Sequence, residues 1–454
     1  MKVLLVRPPR IKQAITVSDF MFSEPLGLEM IYGVIKEDHE VEIFDMMIET
    51  MELTEKLNSY NPDVLGITSL CIDVNKVIEL CVEAKRVDKR IITVIGGTQT
   101  YLNPEAFIHD AVDHIFEYTQ RENLKKFFNL IAIEEKLIPI DGIRSRVLDY
   151  KSTGKKSSNE YLLPDRESTA KYRNEYSYFG YQPAAIMEFG MGCEKVCDFC
   201  LRWRIEGVKE RLIDLEVTKK DLVQIKEPTI MFIDNDFFAS EEKIKTFINL
   251  VKELDLKKNY IVYGSVKGII EYRNIIEEFV KLGLKAVLVG YETFNEVEME
   301  KYRKKSTIED SYKAATILRE LGIDAWASFM AHPDWNKRDI QLFRAFIKKL
   351  RPQISSVSPL TPFPNLPMYK QYENRLLYKK EDYEKWSFGQ VIIKPSKISL
   401  RRYYCELLKT NLYINLFINK NTKMIHRYGV SNIFRIIRGS LKFVVKYINL
   451  MIKA

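Results

Sequence analysis

Ala185-Ile186-Met187-Glu188-Phe189-Gly190-Met191-Gly192-Cys193-Glu194-Lys195-Val196-Cys197-Asp198-Phe199-Cys200 is the stretch of this 454-residue chain on which the architecture turns. Its first five residues read as an apolar strand, two glycines open a loop, and three cysteines follow, spaced by three residues and then by two. Three thiolates on one short loop can wrap a single small cluster. A cubane [4Fe–4S] cluster usually takes four cysteines, so three leave one iron open to a small ligand. Zinc is the inorganic alternative, but structural zinc closes on four ligands, and no further Cys or His lies within thirty residues of the loop. Cys71, Cys81 and Cys405 stand alone and read as small buried hydrophobes.

Working outward, the strand before the cysteines is the first of a series. Thr229–Ile233 ends in Asp234-Asn235-Asp236, Ala286–Val289 in Gly290-Tyr291-Glu292, and Ala325–Met330 near His332. Helical runs such as Lys243–Leu254 and Ile308–Leu321 separate them. Strands and helices in such alternation fit an open or closed α/β barrel, whose active site lies at the carboxyl ends of the strands. Upstream, the strands Val3–Val6, Val41–Phe44, Val64–Ile67 and Ile91–Ile95 alternate with helices such as Leu26–Ile35 and Val74–Val87. That pattern means a doubly wound, Rossmann-like parallel sheet, which takes ligands beyond its carboxyl edge. The edge carries Arg7-Pro8-Pro9-Arg10, Asp45, Thr68-Ser69-Leu70 and Gly96-Gly97-Thr98. The expected plan is α/β: a sheet domain over 1–135, a linker over 136–182, a partial (β/α) barrel over 183–400, and a helical tail over 401–454.

Apolar residues are 46% and charged residues 29%, which excludes a disordered or collagen-like chain. No apolar run approaches the ~18–20 residues of a membrane span. The opening Met1–Arg10 is too short for a signal-peptide core, and with the unpaired cysteines this reads as cytoplasmic. The net charge of +8 is uneven: residues 401–454 hold eleven Lys and Arg and one acid, Glu406, so the tail is +10 and the body −2. In the tail, Val430, Ile433, Phe434, Ile437, Leu441, Val444, Ile448 and Met451 recur at helical spacing, with Arg435, Arg438, Lys442, Lys446 and Lys453 on the opposite face. A basic amphipathic helix suits peripheral contact with an anionic membrane, and equally a terminal helix packed on the body. Nucleic acid is not an expected partner.

The C-x3-C-x2-C spacing, with Phe199 just before the third cysteine and a strand before the first, resembles the radical S-adenosylmethionine (SAM) superfamily. The resemblance implies that Cys193, Cys197 and Cys200 bind three irons of a [4Fe–4S] cluster, that SAM chelates the fourth, and that one electron releases a 5′-deoxyadenosyl radical. Asp234 and Asp236 resemble the segment that meets the SAM amino group, and Gly290 and Glu292 the one that approaches the adenosine, with Phe199 beside the cofactor. A helix cap is the alternative role for the two aspartates. Thr361-Pro362-Phe363-Pro364-Asn365-Leu366-Pro367 resembles a late loop usually written Thr-Pro-x-Pro-Gly-Thr; Asn365 stands in place of glycine and tolerates left-handed backbone. His332 either lines the pocket or is structural.

A doubly wound domain ahead of such a barrel resembles the cobalamin-binding class. The stretches that carry this are Arg7-Pro8-Pro9, Glu24-Pro25-Leu26-Gly27-Leu28-Glu29, Thr68-Ser69-Leu70, Gly96-Gly97 and Leu163-Pro164-Asp165-Arg166, and they look like those of hopanoid C-3 methylases. The resemblance implies cobalamin in the crevice near Thr68, Ser69, Gly96 and Gly97, methylating a substrate carbon radical. Two features depart from it. No Asp-x-His-x-x-Gly motif is present, so no protein histidine on cobalt is implied. Phe116–Glu122 replaces the class's Gly-Glu-Gly-Glu stretch, which alters any close backbone approach. Without a ligand, Gly96-Gly97 is a tight strand-to-helix turn. The expected function is cobalamin-dependent methyl transfer to an unactivated carbon of a lipid-like small molecule, with the electron supplied by flavodoxin or ferredoxin. The alternatives are a radical SAM cyclase, oxidative or C–C bond-forming enzyme, and a non-catalytic metal-bearing membrane-surface adaptor.

Overall fold

Val3, Leu4, Leu5 and Val6 are all buried, and they alternate between two cores. Leu4 and Val6 pack with Leu65, Ile67 and Ile95, whereas Val3 and Leu5 pack with Val64, Val94 and Phe116. Because neighbouring strand residues point to opposite faces, this is a sheet covered on both sides. In the computed structural model, residues 1–12, 14–15, 21–133, 138–148, 150–151, 160–419, 438–439 and 441–453 are described. The first sheet comprises β1 (Lys2–Arg7), β2 (Glu40–Asp45), β3 (Val64–Thr68), β4 (Ile92–Gly96), β5 (His114–Phe116) and β6 (Ile143–Ser145), in the order β2-β1-β3-β4-β5-β6. All its pairings are parallel except that of β6 with β5. β6 lies inside the stretch read as a linker, so this sheet reaches past residue 135. The Lys/Ser-rich part of that stretch lies largely outside the described residues.

The second sheet runs β7 (Ala184–Met187), β8 (Thr229–Phe232), β9 (Asn259–Gly264), β10 (Leu284–Glu292), β11 (Asp324–Ala331) and β12 (Ile354–Pro359). All six are parallel and adjacent in chain order, the topology of an open (β/α) barrel. Alternation sorts their side chains too. Ala185, Met187, Ile230, Phe232 and Val262 meet the helices, while Ala184, Ile186, Met231, Ile261 and Trp326 fill the other face.

A buried ionic cluster joins the two sheets. The Arg166 guanidinium donates two hydrogen bonds to Asp221, at 2.7 and 2.8 Å, and one to Glu24 at 2.9 Å. Arg173 donates to Glu29 at 2.7 Å, and Glu24 Oε1 also accepts the Ile186 amide of β7 at 2.8 Å. Arg166, Glu24, Glu29 and Asp221 are 0–3% exposed. The Glu-Pro-Leu-Gly-Leu-Glu and Leu-Pro-Asp-Arg stretches therefore meet in space, as a joint between the domains and not as ligand-facing groups.

Leu400–Tyr413 forms a helix on the barrel, and residues 441–453 are helical as well. The tail differs from its expected pattern. Tyr447 faces the core, with Phe443, Leu450 and Met451 packed against it, while Leu441 and Ile448 are exposed. The expected face is centred about a quarter of a turn from the one that packs: Val444 and Met451 of the expected set are half-buried, and Tyr447 is the buried centre of the packed face. Val430, Ile433, Phe434, Arg435 and Ile437 lie outside the described residues. No helix among the described residues is long and apolar enough to cross a membrane.

Candidate active site

The cysteine loop leaves β7 through Gly190–Met191, which pairs antiparallel with Arg211–Leu212 and closes the loop at its base. Gly192 has φ +89°, and a Cβ there would stand 2.2 Å from the Lys209 carbonyl oxygen. Only glycine fits this crossing. The Cys193 amide donates to Gly207 O at 3.1 Å, the Cys200 amide to Cys197 O at 3.2 Å, and Trp203 Nε1 to Cys197 O at 3.0 Å. Asn235, just past β8, ties the loop down. Its amide donates to Gly192 O (3.0 Å) and Glu206 (2.6 Å), and its oxygen accepts from Arg202 (2.7 Å).

All three thiols are free, and burial pushes each one up, Cys197 to about 11. Neighbouring thiols raise Cys193 and Cys197 further, so the sulfurs lie within electrostatic reach of one another. Protonated thiols of this kind are poor nucleophiles, and binding iron would displace their protons. Among the described residues no three His, Cys, Asp or Glu side chains close on one point as ligands of a single ion would. The loop's three thiols would hold three irons of a [4Fe–4S] cluster and leave the fourth open, one ligand short of the usual four cysteines.

The carboxylates expected at the strand ends divide by environment. Asp234 is 1% exposed; it accepts the Phe189 amide at 2.8 Å and pairs with buried Lys243 at 2.7 Å, which binds the end of β8 to the end of β7. Asp236 accepts the Phe238 and Ser265 amides and pairs with Lys195 of the cysteine loop. Neither caps the helix Glu241–Glu253, because Ser240 does. Glu292, at φ +63° beyond a register shift in β10, pairs with Lys304 at 2.9 Å. Lys304 also donates to Gly290 O at 3.2 Å and lies 5.7 Å from the centre of the Phe199 ring. A Cβ at Gly290 would meet Glu292 Oε1 at 2.2 Å, so a larger residue here would have to displace that carboxylate. Lys195, Asn235 and Lys304 were not singled out in the sequence. Lys195 and Asn235 lie inside motifs already quoted, and only Lys304 had no local signal.

On the first sheet, Ser69 is fully buried and its amide donates to Gly96 O at 2.9 Å. Gly97 has φ +109°, and a Cβ there would meet Ser69 N, Ser69 O and Thr68 Oγ1 at 2.8 Å. The tight turn thus accounts for Gly97 by packing, while keeping Thr68, Ser69 and Gly96 together at the carboxyl edge. That edge faces the barrel's. The helix Thr98–Leu102 touches the helix Arg202–Glu206 that follows the cysteines. Asn365 Nδ2 donates to Leu102 O at 2.9 Å. Asn365 is not among the left-handed residues, so it replaces the loop glycine by making this bridge and not by its backbone. Phe199, Cys71, Met330, Tyr302, Phe363 and Tyr372 form one apolar cluster between the two edges. His332 lies in its wall. Burial pulls it down to about 4, so it is neutral, and it is held by the Asp334 amide (3.1 Å) and Tyr372 (3.2 Å).

Comparison with known proteins agrees with this layout. Residues 187–347 match the radical SAM superfamily model and residues 14–125 the B12-binding domain model. The chain is 25% identical over 418 residues to the hopanoid C-3 methylase of Methylococcus capsulatus, covering 90% of this chain and 79% of that one. It is 24% identical over 393 residues to the anaerobic magnesium-protoporphyrin IX monomethyl ester cyclase of Rubrivivax gelatinosus, covering 81% and 68%. In fold it is similar to the radical SAM methyltransferase TsrM of Kitasatospora setae, with a TM-score of 0.68 at 16% identity over 90% of this chain and 88% of that one. The chain carries a B12-binding domain at residues 14–125 ahead of a radical SAM domain at residues 187–347, and is a radical SAM enzyme whose cofactors are a [4Fe–4S] cluster, SAM and cobalamin.

Proposed function

We propose that this enzyme transfers a methyl group to an unactivated carbon of an apolar, lipid-like molecule. The observation that carries the reading is the apposition of the two carboxyl edges across one apolar cluster, an arrangement that would let a radical-generating loop and a corrinoid crevice serve the same substrate. The methylase named among its relatives supports the same choice. When bound, the cluster and SAM supply a hydrogen-abstracting radical, and cobalamin supplies the methyl group.

This chain's residues then have distinct tasks. Cys193, Cys197 and Cys200 hold three irons, and Gly192 and Asn235 fix the loop that presents them. Asp236, Glu292, Gly290 and Phe199 border the SAM position, with Lys195 and Lys304 balancing the two carboxylates. Asp234 positions the strand ends from beneath. Thr68, Ser69, Gly96 and Gly97 would hold cobalamin at the carboxyl edge of the first sheet. The apolar cluster lines the space between the two edges with apolar side chains, which would suit an apolar substrate and keep solvent from the reacting carbon. The electron enters from a small reducing protein of the flavodoxin or ferredoxin kind.

The test is anaerobic reconstitution followed by incubation with methyl-labelled SAM and an extract of lipids and small metabolites. Bound corrinoid, S-adenosylhomocysteine and a labelled product are expected. Cys197→Ala should lose iron and 5′-deoxyadenosine formation while keeping its helical signal. Radical cleavage of SAM with neither corrinoid nor S-adenosylhomocysteine would replace methyl transfer by a cyclase or oxidative reaction, the reading favoured by the cyclase relative. Protein that holds zinc and cleaves no SAM would be the adaptor.

A further inference from the structure

The helix at residues 441–453 has two apolar faces, and among the described residues only one of them packs on the body. On the inner face Tyr447 is 1% exposed, its hydroxyl donates to Gly389 O at 2.8 Å, and its ring meets that of Tyr404 at 5.5 Å. Lys446 adds a hydrogen bond to Ala14 O at 2.6 Å. On the outer face Leu441, Val445, Ile448 and Ile452 are 60%, 56%, 42% and 73% exposed. Their steps of four, three and four residues align them in one stripe, about 16 Å long at 1.5 Å per residue. Exposed apolar side chains usually occur singly and need no explanation, but four in register on one helix do.

We propose that this outer stripe is a docking face for an anionic membrane surface, with the helix lying in the interface and its inner face fixed to the enzyme. The charge around the stripe selects this occupant. Arg438, Lys442 and Lys453 accompany it, and no acid occurs anywhere after Glu406. A second copy of this helix would set like charges against each other across the contact. Nucleic acid would satisfy the charges but leave the apolar stripe in water. A bilayer with anionic headgroups accepts both, the apolar residues reaching the acyl boundary and the cations staying with the phosphates. Because Tyr447 pins the helix to the barrel, docking would also fix how the body is oriented to the membrane.

The proposal stands apart from methyl transfer, since its test needs neither SAM nor reductant. The full-length protein is floated with vesicles of phosphatidylcholine and phosphatidylglycerol in equal parts, and with vesicles of phosphatidylcholine alone. Binding is expected to the anionic vesicles, weakening as salt is raised. The double variant Ile448→Glu with Ile452→Glu should bind at least about tenfold more weakly, with an unchanged thermal transition because neither side chain packs on the core. Wild-type protein that does not float, a double variant that floats as well as wild type, or equal binding to both vesicle types overturns the proposal. So does a wild-type dimer that the double variant dissolves, which would make a second copy the occupant.

Discussion

His114 illustrates what burial does to a single side chain. It is 2% exposed, its ring stands 5.0 Å from that of Phe127, and its Nδ1 has no hydrogen-bond partner among the described residues. Burial pulls its pKa down to about 4, as it does for His332. Between about 6.5 and 4 the unfolded chain therefore binds protons that the folded chain refuses, so stability is full above that window and falls as the pH drops through it. A shift of that size corresponds to roughly 3 kcal/mol per imidazole. Glu29 opposes this: pushed up to about 7 by burial, it keeps in the folded state a proton that the unfolded chain loses at lower pH, so its term makes stability fall as pH rises. The useful measurement is thus a difference. His114→Asn is expected to lose less thermal stability than wild type between pH 7 and pH 4.5, as followed by circular dichroism. Parallel profiles would mean that His114 is not held neutral.

At the scale of elements, the alternation of apolar residues made most strands readable, because each lies in a sheet buried on both faces. Leu26–Ile35 and Val74–Val87 form helices with the bounds their spacing gives. The short β5 and the polar β12 lacked that signal; Ile354-Ser355-Ser356-Val357-Ser358-Pro359 is a strand only because β11 pairs with it. Of the site, the cysteines were legible from spacing alone. Asn235 and Lys304 were not, since their roles depend on chain segments 43 and 14 residues away coming together. The loop gives a sharp contrast between two glycines. Gly192→Ala puts a Cβ 2.2 Å from Lys209 O at a left-handed φ, whereas Gly207→Ala, at φ +97°, meets nothing within 4 Å. The first should cost ~2–3 kcal/mol locally and the second ~1 kcal/mol. Gly192→Ala is therefore expected to reconstitute with markedly less iron per chain than Gly207→Ala, at equal helical content. Equal iron in the two would show that the crossing at Gly192 does not shape the cluster loop.

For the whole molecule, the decisive quantity is the relation between the two sheets, because a methyl donor on one and a radical on the other are useful only at a fixed separation. Arg166 governs that relation. It comes from the connecting segment, grips Asp221 of the barrel with two hydrogen bonds, and reaches Glu24 from the first domain, whose carboxylate also receives the β7 amide. Such a cluster is weak evidence for stability when intact, since desolvation offsets much of the attraction. Removing Arg166 is a different matter: Arg173 still pairs with Glu24 and Glu29, but buried Asp221 loses its counter-charge, which costs about 3–5 kcal/mol. Arg166→Met should accordingly lower the free energy of unfolding measured in urea by that much. It should also separate the unfolding of the two domains into distinct steps if the cluster is their principal joint. Arg166→Lys keeps the charge but cannot span Asp221 and Glu24 with one planar group, so an intermediate loss is expected. In the Lys variant, SAM cleavage should persist while methyl transfer falls, since the cluster loop is intact but its distance to the corrinoid crevice is no longer held. A Met variant with a single transition within about 1 kcal/mol of wild type would assign the joint instead to the apolar cluster between the carboxyl edges.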